Sequence, residues 1–243
     1  MDKHTIFKEI SQNVLKAVSK SVKTKSTILL AVSKTKSKEQ IMDIYNEGHR
    51  DFGENYVNEL LEKAAELPKD INWHMIGHLQ SNKAKKVLEI ENLKVIETID
   101  SIKLANEINT QSKKLNRKVR IYIQVNVSED NKSGIEYSEA IGLVDHVMKN
   151  CENLKLGGLM SMGTIGDEKE FIKLYDLKLE ILKTHKELEN DFVLSMGTSD
   201  DFDLAILNGS GEVRIGTKLF GKREYPSENK PEEKKTKPEE TKI

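Results

Sequence analysis

The sequence predicts an α/β fold, a single (β/α)8 TIM-type barrel with an extra N-terminal helix and a charged C-terminal tail. About eight short apolar runs each lead into a helical pattern, the number a closed parallel barrel requires. The 243-residue length suits one such barrel. The first strand-to-helix junction, AVSKTKS, lacks the glycine-rich fingerprint expected there of an open doubly wound sheet.

Residues 3 to about 23 read as an amphipathic helix packed outside the barrel or across its bottom. ILLAVSK, Ile28 to Lys34, is the first strand, and a helix with Ile41, Met42, Ile44 and Tyr45 follows it. DFG at 51–53 precedes a helix through Leu60 and Leu61, and WHMIG at 73–77 precedes one through Val87 and Leu88. VIETID near residue 95 leads to Leu104 and Ile108, and VRIYIQVNV from Val119 leads to Ile141, Leu143 and Val144. LKLGGLM from Leu154 and FVLSMG from Phe192 continue the series, which EVRIG from Glu212 closes. Residues 1–225 thus form one barrel domain. From Pro226 the chain is Lys, Glu and Pro with almost nothing apolar, too little to repay its ordering entropy, so 226–243 is expected to be a disordered tail.

Lys and Arg number 39 against 40 Asp and Glu, with both signs interspersed, so no broad field exists to attract nucleic acid or anionic lipid. Cys151 is the sole cysteine, with no disulfide partner and no metal-ligand spacing around it, which fits a reducing compartment. No apolar run approaches membrane-spanning length, and MDKHTIFKEI lacks the apolar core of a signal peptide. The expectation is a cytoplasmic protein that meets neither nucleic acid nor membrane. No long apolar surface stripe is evident, which favours a monomer.

Lys34 ends a buried strand, where its amine can emerge at the barrel's catalytic face, partly desolvated and therefore nucleophilic. A lysine that simply snorkels to solvent is the plainer alternative, and Lys36 is a rival. SMGTSDD, Ser195 to Asp201, follows the seventh run, and RIGT, with Gly216 and Thr217, follows the eighth. The loops after strands 7 and 8 are where this fold commonly binds phosphate, so together they suggest an anion site. Arg214 interrupts an apolar strand and must be paired or face the barrel mouth, with Glu212 a possible structural partner. FGENY places Asn55 after the second strand, where it could face a ring oxygen or cap the next helix. His74 and His78 invite a zinc reading, but Gly77 and the strand-like WHMI argue against one helical face, and no metal is expected. KSG at 132–134 reads as an exposed turn, with an anion contact at the mouth as the sharper possibility.

AVSKTK, FGENYV, WHMIGHLQSNK, KSGI, GLMSMG, SMGTSDDFDLAI and GSGEVRIGTKLFG occur in the order found in the YggS/PROSC family of pyridoxal 5′-phosphate homeostasis proteins, which the chain resembles over about residues 5–225. The resemblance implies a barrel like the N-terminal domain of alanine racemase, without that enzyme's second domain. It implies a Schiff base between Lys34 and pyridoxal 5′-phosphate, whose phosphate is held by Ser199 with the SMGTS loop, Thr198 included, and by Gly216 and Thr217. Arg214 would face the pyridine nitrogen, and Asn55 and His78 would line the pocket. Ser37 stands where many members carry proline, Thr198 replaces a common methionine, and SMG at 161 replaces a more apolar sequence.

The function implied is cofactor binding and release, with cofactor-dependent apoenzymes as candidate recipients and no catalytic residue assigned. An amino-acid racemase of the same fold is the alternative, but it needs a second acid/base residue, and only a charged tail follows Tyr225. An arginine at the ring nitrogen would also weaken the cofactor as an electron sink. A Schiff-base aldolase would be colourless, and a scaffold acting through its tail would not need Lys34.

Overall fold

Parallel strands close on themselves in a computed structural model that describes residues 3–129 and 133–221. They are β1 (Ile28–Val32), β2 (Asp51–Glu54), β3 (Asn72–Met75), β4 (Leu93–Ile99), β5 (Val119–Asn126), β6 (Ile135–Glu136), β7 (Leu154–Met160), β8 (Val193–Thr198) and β9 (Glu212–Ile215). The order β4-β3-β2-β1-β9-β8-β7-β5 is sealed by pairing of β4 with β5, giving an eight-stranded barrel, while two-residue β6 hangs on β5 outside the ring. The expected 226–243 tail and Lys132 of the KSG turn lie outside the described residues.

The helices are α1 (Lys3–Lys20), α2 (Lys38–Asn46), α3 (Val57–Glu66), α4 (Ala84–Leu88), α5 (Ile102–Lys114), α6 (Ala140–Asn150), α7 (Glu168–Thr184), α8 (Phe202–Leu207) and α9 (Thr217–Phe220). Those after β8 and β9 are short, six and four residues, and leave their side of the barrel thinly covered. The N-terminal helix fills that gap. It packs on α8, α9 and α2 through a face that buries Ile10, Val14 and Ala17, so of the two expected positions it takes the one outside the barrel. Ser37, the residue found in place of proline, opens α2 with a capping box: its hydroxyl accepts from Gln40 N–H, and the Gln40 side chain accepts from Ser37 N–H. Among the described residues no helix is long and apolar enough to cross a membrane.

Because side chains alternate along a strand, each barrel strand feeds two environments. Outward-facing Phe52, Trp73, Ile96, Ile121, Leu194 and Ile215 join Ile41, Leu60, Leu104 and Leu174 of the helices in one apolar layer. Their neighbours Val95 and Tyr122 turn the other way and meet Met160 in a separate small cluster inside the barrel. The rest of the lumen includes His74, Glu97, Ser195, Glu212 and Arg214, all buried.

Candidate functional site

A cavity of about 200 Å³ opens where β1, β2, β8 and β9 end, and its lining includes Lys34, Asn55, Thr198, Ser199, Arg214, Gly216 and Thr217. Seven of the eight residues singled out from the sequence thus share one space. His78 does not join them. It follows β3 with its side chain 66% exposed, Nδ1 lying 3.6 Å from Asp100 Oδ2. A larger cleft, about 490 Å³, lies on the outside around α3 and α4, but no comparable set of converging side chains lines it.

Lys34 leaves the end of β1 in a turn closed by Lys36 N–H donating to the Ser33 carbonyl at 3.0 Å. Thr35 takes a left-handed φ of 62° there, a conformation that costs a threonine energy. The rival lysine is committed elsewhere: Lys36 Nζ donates to the carbonyls of Phe220 and Gly221 at 3.3 and 3.2 Å, a cation at the C-terminus of α9.

The SMGTSDD loop is shaped from below. Gly197 has φ +91°, and a Cβ there would come within 2.5 Å of Ala205 Cβ, so glycine is required on both counts. Asp201 accepts from Thr198 N–H at 2.7 Å and from the Thr198 hydroxyl at 3.0 Å, while its second oxygen accepts from Gly166 N–H at 3.0 Å. Both Thr198 donors are thereby spent within the loop. Ser199 Oγ accepts from the N–H groups of Gly216 and Lys218, each at 3.3 Å, tying the two candidate anion loops together. On the opposite wall, Gly77 lets the chain approach Asn55, because a Cβ would lie 2.0 Å from the Asn55 carbonyl oxygen. The Asn55 side-chain oxygen is buried with no hydrogen-bond partner.

Arg214 reaches up to this cavity from a charged layer. Its Nη1 donates to Ser195 Oγ at 2.7 Å and its Nη2 to the Ser161 carbonyl at 2.6 Å, with Met162 Sδ at 3.2 Å. Ser195 Oγ also lies 2.7 Å from Glu97 Oε2 and 2.8 Å from Glu212 Oε1. A hydroxyl has one proton, so it can donate to one of these carboxyls only, and the other must bring its own proton. Burial and the Glu97 charge push Glu212 up. Burial acts upward on Glu97 too, but His74 outweighs it and holds Glu97 below the usual carboxylate range. Of the two carboxyls, Glu212 is therefore the one the site favours in its protonated form. Glu212, a possible structural partner of Arg214 in the sequence, reaches it through this serine.

His74 Nδ1 donates to Glu97 at 2.7 Å, with Asp51 Oδ1 at 3.8 Å from Nε2. Burial alone would depress this imidazole, but Glu212, Asp51 and Glu97 together raise it to about 10. The zinc pairing weighed for His74 and His78 does not form, one being in the lumen and the other exposed. His74, Glu97 and Glu212 do bring ligand-type atoms within 4.8 Å of one another. Hydrogen bonds from His74 Nδ1 and Ser195 Oγ link the three, and the Arg214 cation shares the same serine. Sequence reasoning passed over Glu97, although a glutamate inside the apolar VIETI run was the available signal.

Comparison with known proteins gives a consistent neighbourhood. Residues 7–224 match the family model described as alanine racemase, N-terminal domain. A pyridoxal phosphate homeostasis protein of Caenorhabditis elegans is 42% identical over 229 residues, 89% of this chain and 94% of the relative. The protein of that name from Pongo abelii is 41% identical over 218 residues, 84% of this chain and 79% of the relative. The solved structure of PipY from Synechococcus elongatus with PLP bound superposes with a TM-score of 0.75 at 30% identity, covering 87% of this chain and all of that one.

Proposed function

This chain belongs to the alanine racemase N-terminal domain family and, within it, to the pyridoxal phosphate homeostasis proteins; on that premise we propose that it binds pyridoxal 5′-phosphate as a Schiff base on Lys34 and serves homeostasis of that cofactor with little or no catalysis. The observation that carries the reading is the convergence of Lys34, Arg214 and the two post-strand loops on one cavity. The residues suit the group. Asn55 offers a buried, unpartnered oxygen, the Thr198–Ser199 and Gly216–Thr217 segments form the kind of paired loops that hold phosphate in this fold, and Lys34 supplies the amine.

Bound there, the cofactor supplies an aldehyde and an electron-withdrawing ring. Lys34 would supply the amine that holds that aldehyde as a Schiff base. Arg214 is a donor with no acceptor capacity, and set against the ring nitrogen it would keep that nitrogen unprotonated. Among the described residues, the lining includes no tyrosine, cysteine or histidine to act as the second acid a racemase needs, which supports cofactor custody over turnover. Tyr122, buried in the lumen, is held well above the ordinary phenol value by burial and by Glu212 and Glu97, and so is a poor proton donor. In this reading the protein acts as a cytoplasmic monomer, and apoenzymes are the recipients of the released cofactor.

The test is spectroscopic. The purified chain is expected to be yellow, and borohydride reduction followed by peptide mass spectrometry to place a pyridoxyl phosphate adduct on Lys34, lost in Lys34→Ala. A colourless protein that takes up no added cofactor would sink the reading. Loss of optical rotation from L-alanine, abolished by Lys34→Ala, would shift it to the racemase.

A further inference from the structure

Lysine is rarely buried without a reason, and Lys63, in the middle of α3, is 5% exposed. Its ammonium has three donors, and three acceptors meet it: Glu54 Oε1 at 2.8 Å, Glu59 Oε2 at 2.9 Å and the Ser33 carbonyl at 2.9 Å. The last belongs to the turn that carries Lys34, and the same carbonyl receives Lys36 N–H, the bond that closes the turn. The two carboxylates hold the turn as well. Ser33 Oγ donates to Glu54 Oε1 at 2.6 Å, and Thr35 N–H donates to Glu59 Oε2 at 2.8 Å. Both chain neighbours of Lys34 are thus bound to one ion cluster.

We propose that Lys63, Glu54 and Glu59 are positioning residues for Lys34, holding its turn in the conformation that sends the side chain into the cavity. None of the three is among the residues lining that cavity, so they act through the backbone. Thr35 is the point of leverage. Its left-handed φ is unfavourable for a threonine and persists only while its surroundings impose it, and the Glu59 carboxylate on its N–H is part of that imposition. A cluster needed only for stability would do as well with apolar residues of similar volume, since buried ion pairs barely repay their desolvation. Here the polar atoms lock a local geometry that apolar ones could not.

The proposal rests on Lys34 as the cofactor lysine, and the test separates the two. Glu59→Gln is the main variant, because this side chain is 31% exposed and the replacement keeps its shape; Lys63→Met is the second. In the full chain stripped of cofactor, both should form the Schiff base with added pyridoxal 5′-phosphate about tenfold more slowly or worse, as displaced reacting groups do. Pyridoxine 5′-phosphate, which has no aldehyde, should bind within about threefold of the unmodified protein, because the phosphate loops are untouched. Hydrogen exchange at the Thr35 amide should accelerate by about tenfold or more in Glu59→Gln. Equal losses for both ligands would mean a disrupted site and overturn the proposal, as would unchanged Schiff-base formation. If the unmodified chain forms no Schiff base, the function proposed above fails, and the Thr35 exchange rate alone decides: no acceleration in Glu59→Gln overturns the positioning role.

Discussion

Outside the barrel strands, Phe52, Trp73, Leu194 and Ile215 meet helix residues in one unbroken apolar layer, whereas inside them Arg214, Glu97, Glu212 and His74 meet one another. The lumen of this fold is usually filled with branched aliphatics. Here Val95, Tyr122, Met160 and partly buried Val193 make an apolar patch in the lumen, beside the charged groups. The shell supplies the burial that holds the fold, so the lumen is free to carry charges whose net worth to stability is small. Those charges end on Arg214, which faces the cavity, so the lumen serves the site above it.

Breaking the shell should have the larger effect. Trp73→Ala removes a fully buried indole and should cost about 3–5 kcal/mol in urea unfolding; a cost below about 1 kcal/mol would mean that the shell is not the principal source of stability. Inside the lumen, two chemically identical changes should diverge. Glu97→Gln removes the carboxylate that partners His74 and should cost about 3 kcal/mol at neutral pH. Glu212→Gln replaces a carboxyl that already carries a proton and should cost under about 1 kcal/mol. Equal costs would refute the assignment of the proton to Glu212.

A further effect is a pH dependence confined to the charged regions. His74 gains affinity for protons on folding, so its contribution is fully present below about pH 6.5 and is lost as pH rises towards about 10. Glu212 acts in the same direction, because the folded chain keeps a proton that the unfolded chain releases above its ordinary carboxylate value. Glu54, raised to about 7 by burial against the opposing pull of Lys63, contributes a loss confined to pH values below about 7. The melting temperature should fall between neutral pH and about pH 10. Trp73→Ala should keep that slope at a lower temperature, and Glu97→Gln should flatten it.

The strands were legible because parallel strands covered by helices are continuous apolar runs, and Lys34 was legible because it ends one of them. The two phosphate-type loops could be placed by counting strands. The lumen could not be read this way. Glu97 on β4 and Ser195 on β8 touch across the ring although 98 residues separate them, and nothing local in either run encodes that distance. Lys63 was hidden for another reason: in VNELLEKAAE it sits among glutamates, as any solvent-facing helical lysine would. His78 misled because a resemblance fixes order along a chain, not the side of a loop on which a ring ends.

The N-terminal helix carries a consequence for how the molecule is made. Among the described residues α1 comes first along the chain, yet two of the helices it lies against, α8 and α9, come last. Through nearly all of translation the stripe formed by Ile10, Val14 and Ala17 therefore lacks much of its native partner surface, and the ring itself cannot shut before β9 arrives to bridge β1 and β8. The ring and the cavity between β9 and β1 thus depend on pairing between segments that lie far apart along the chain.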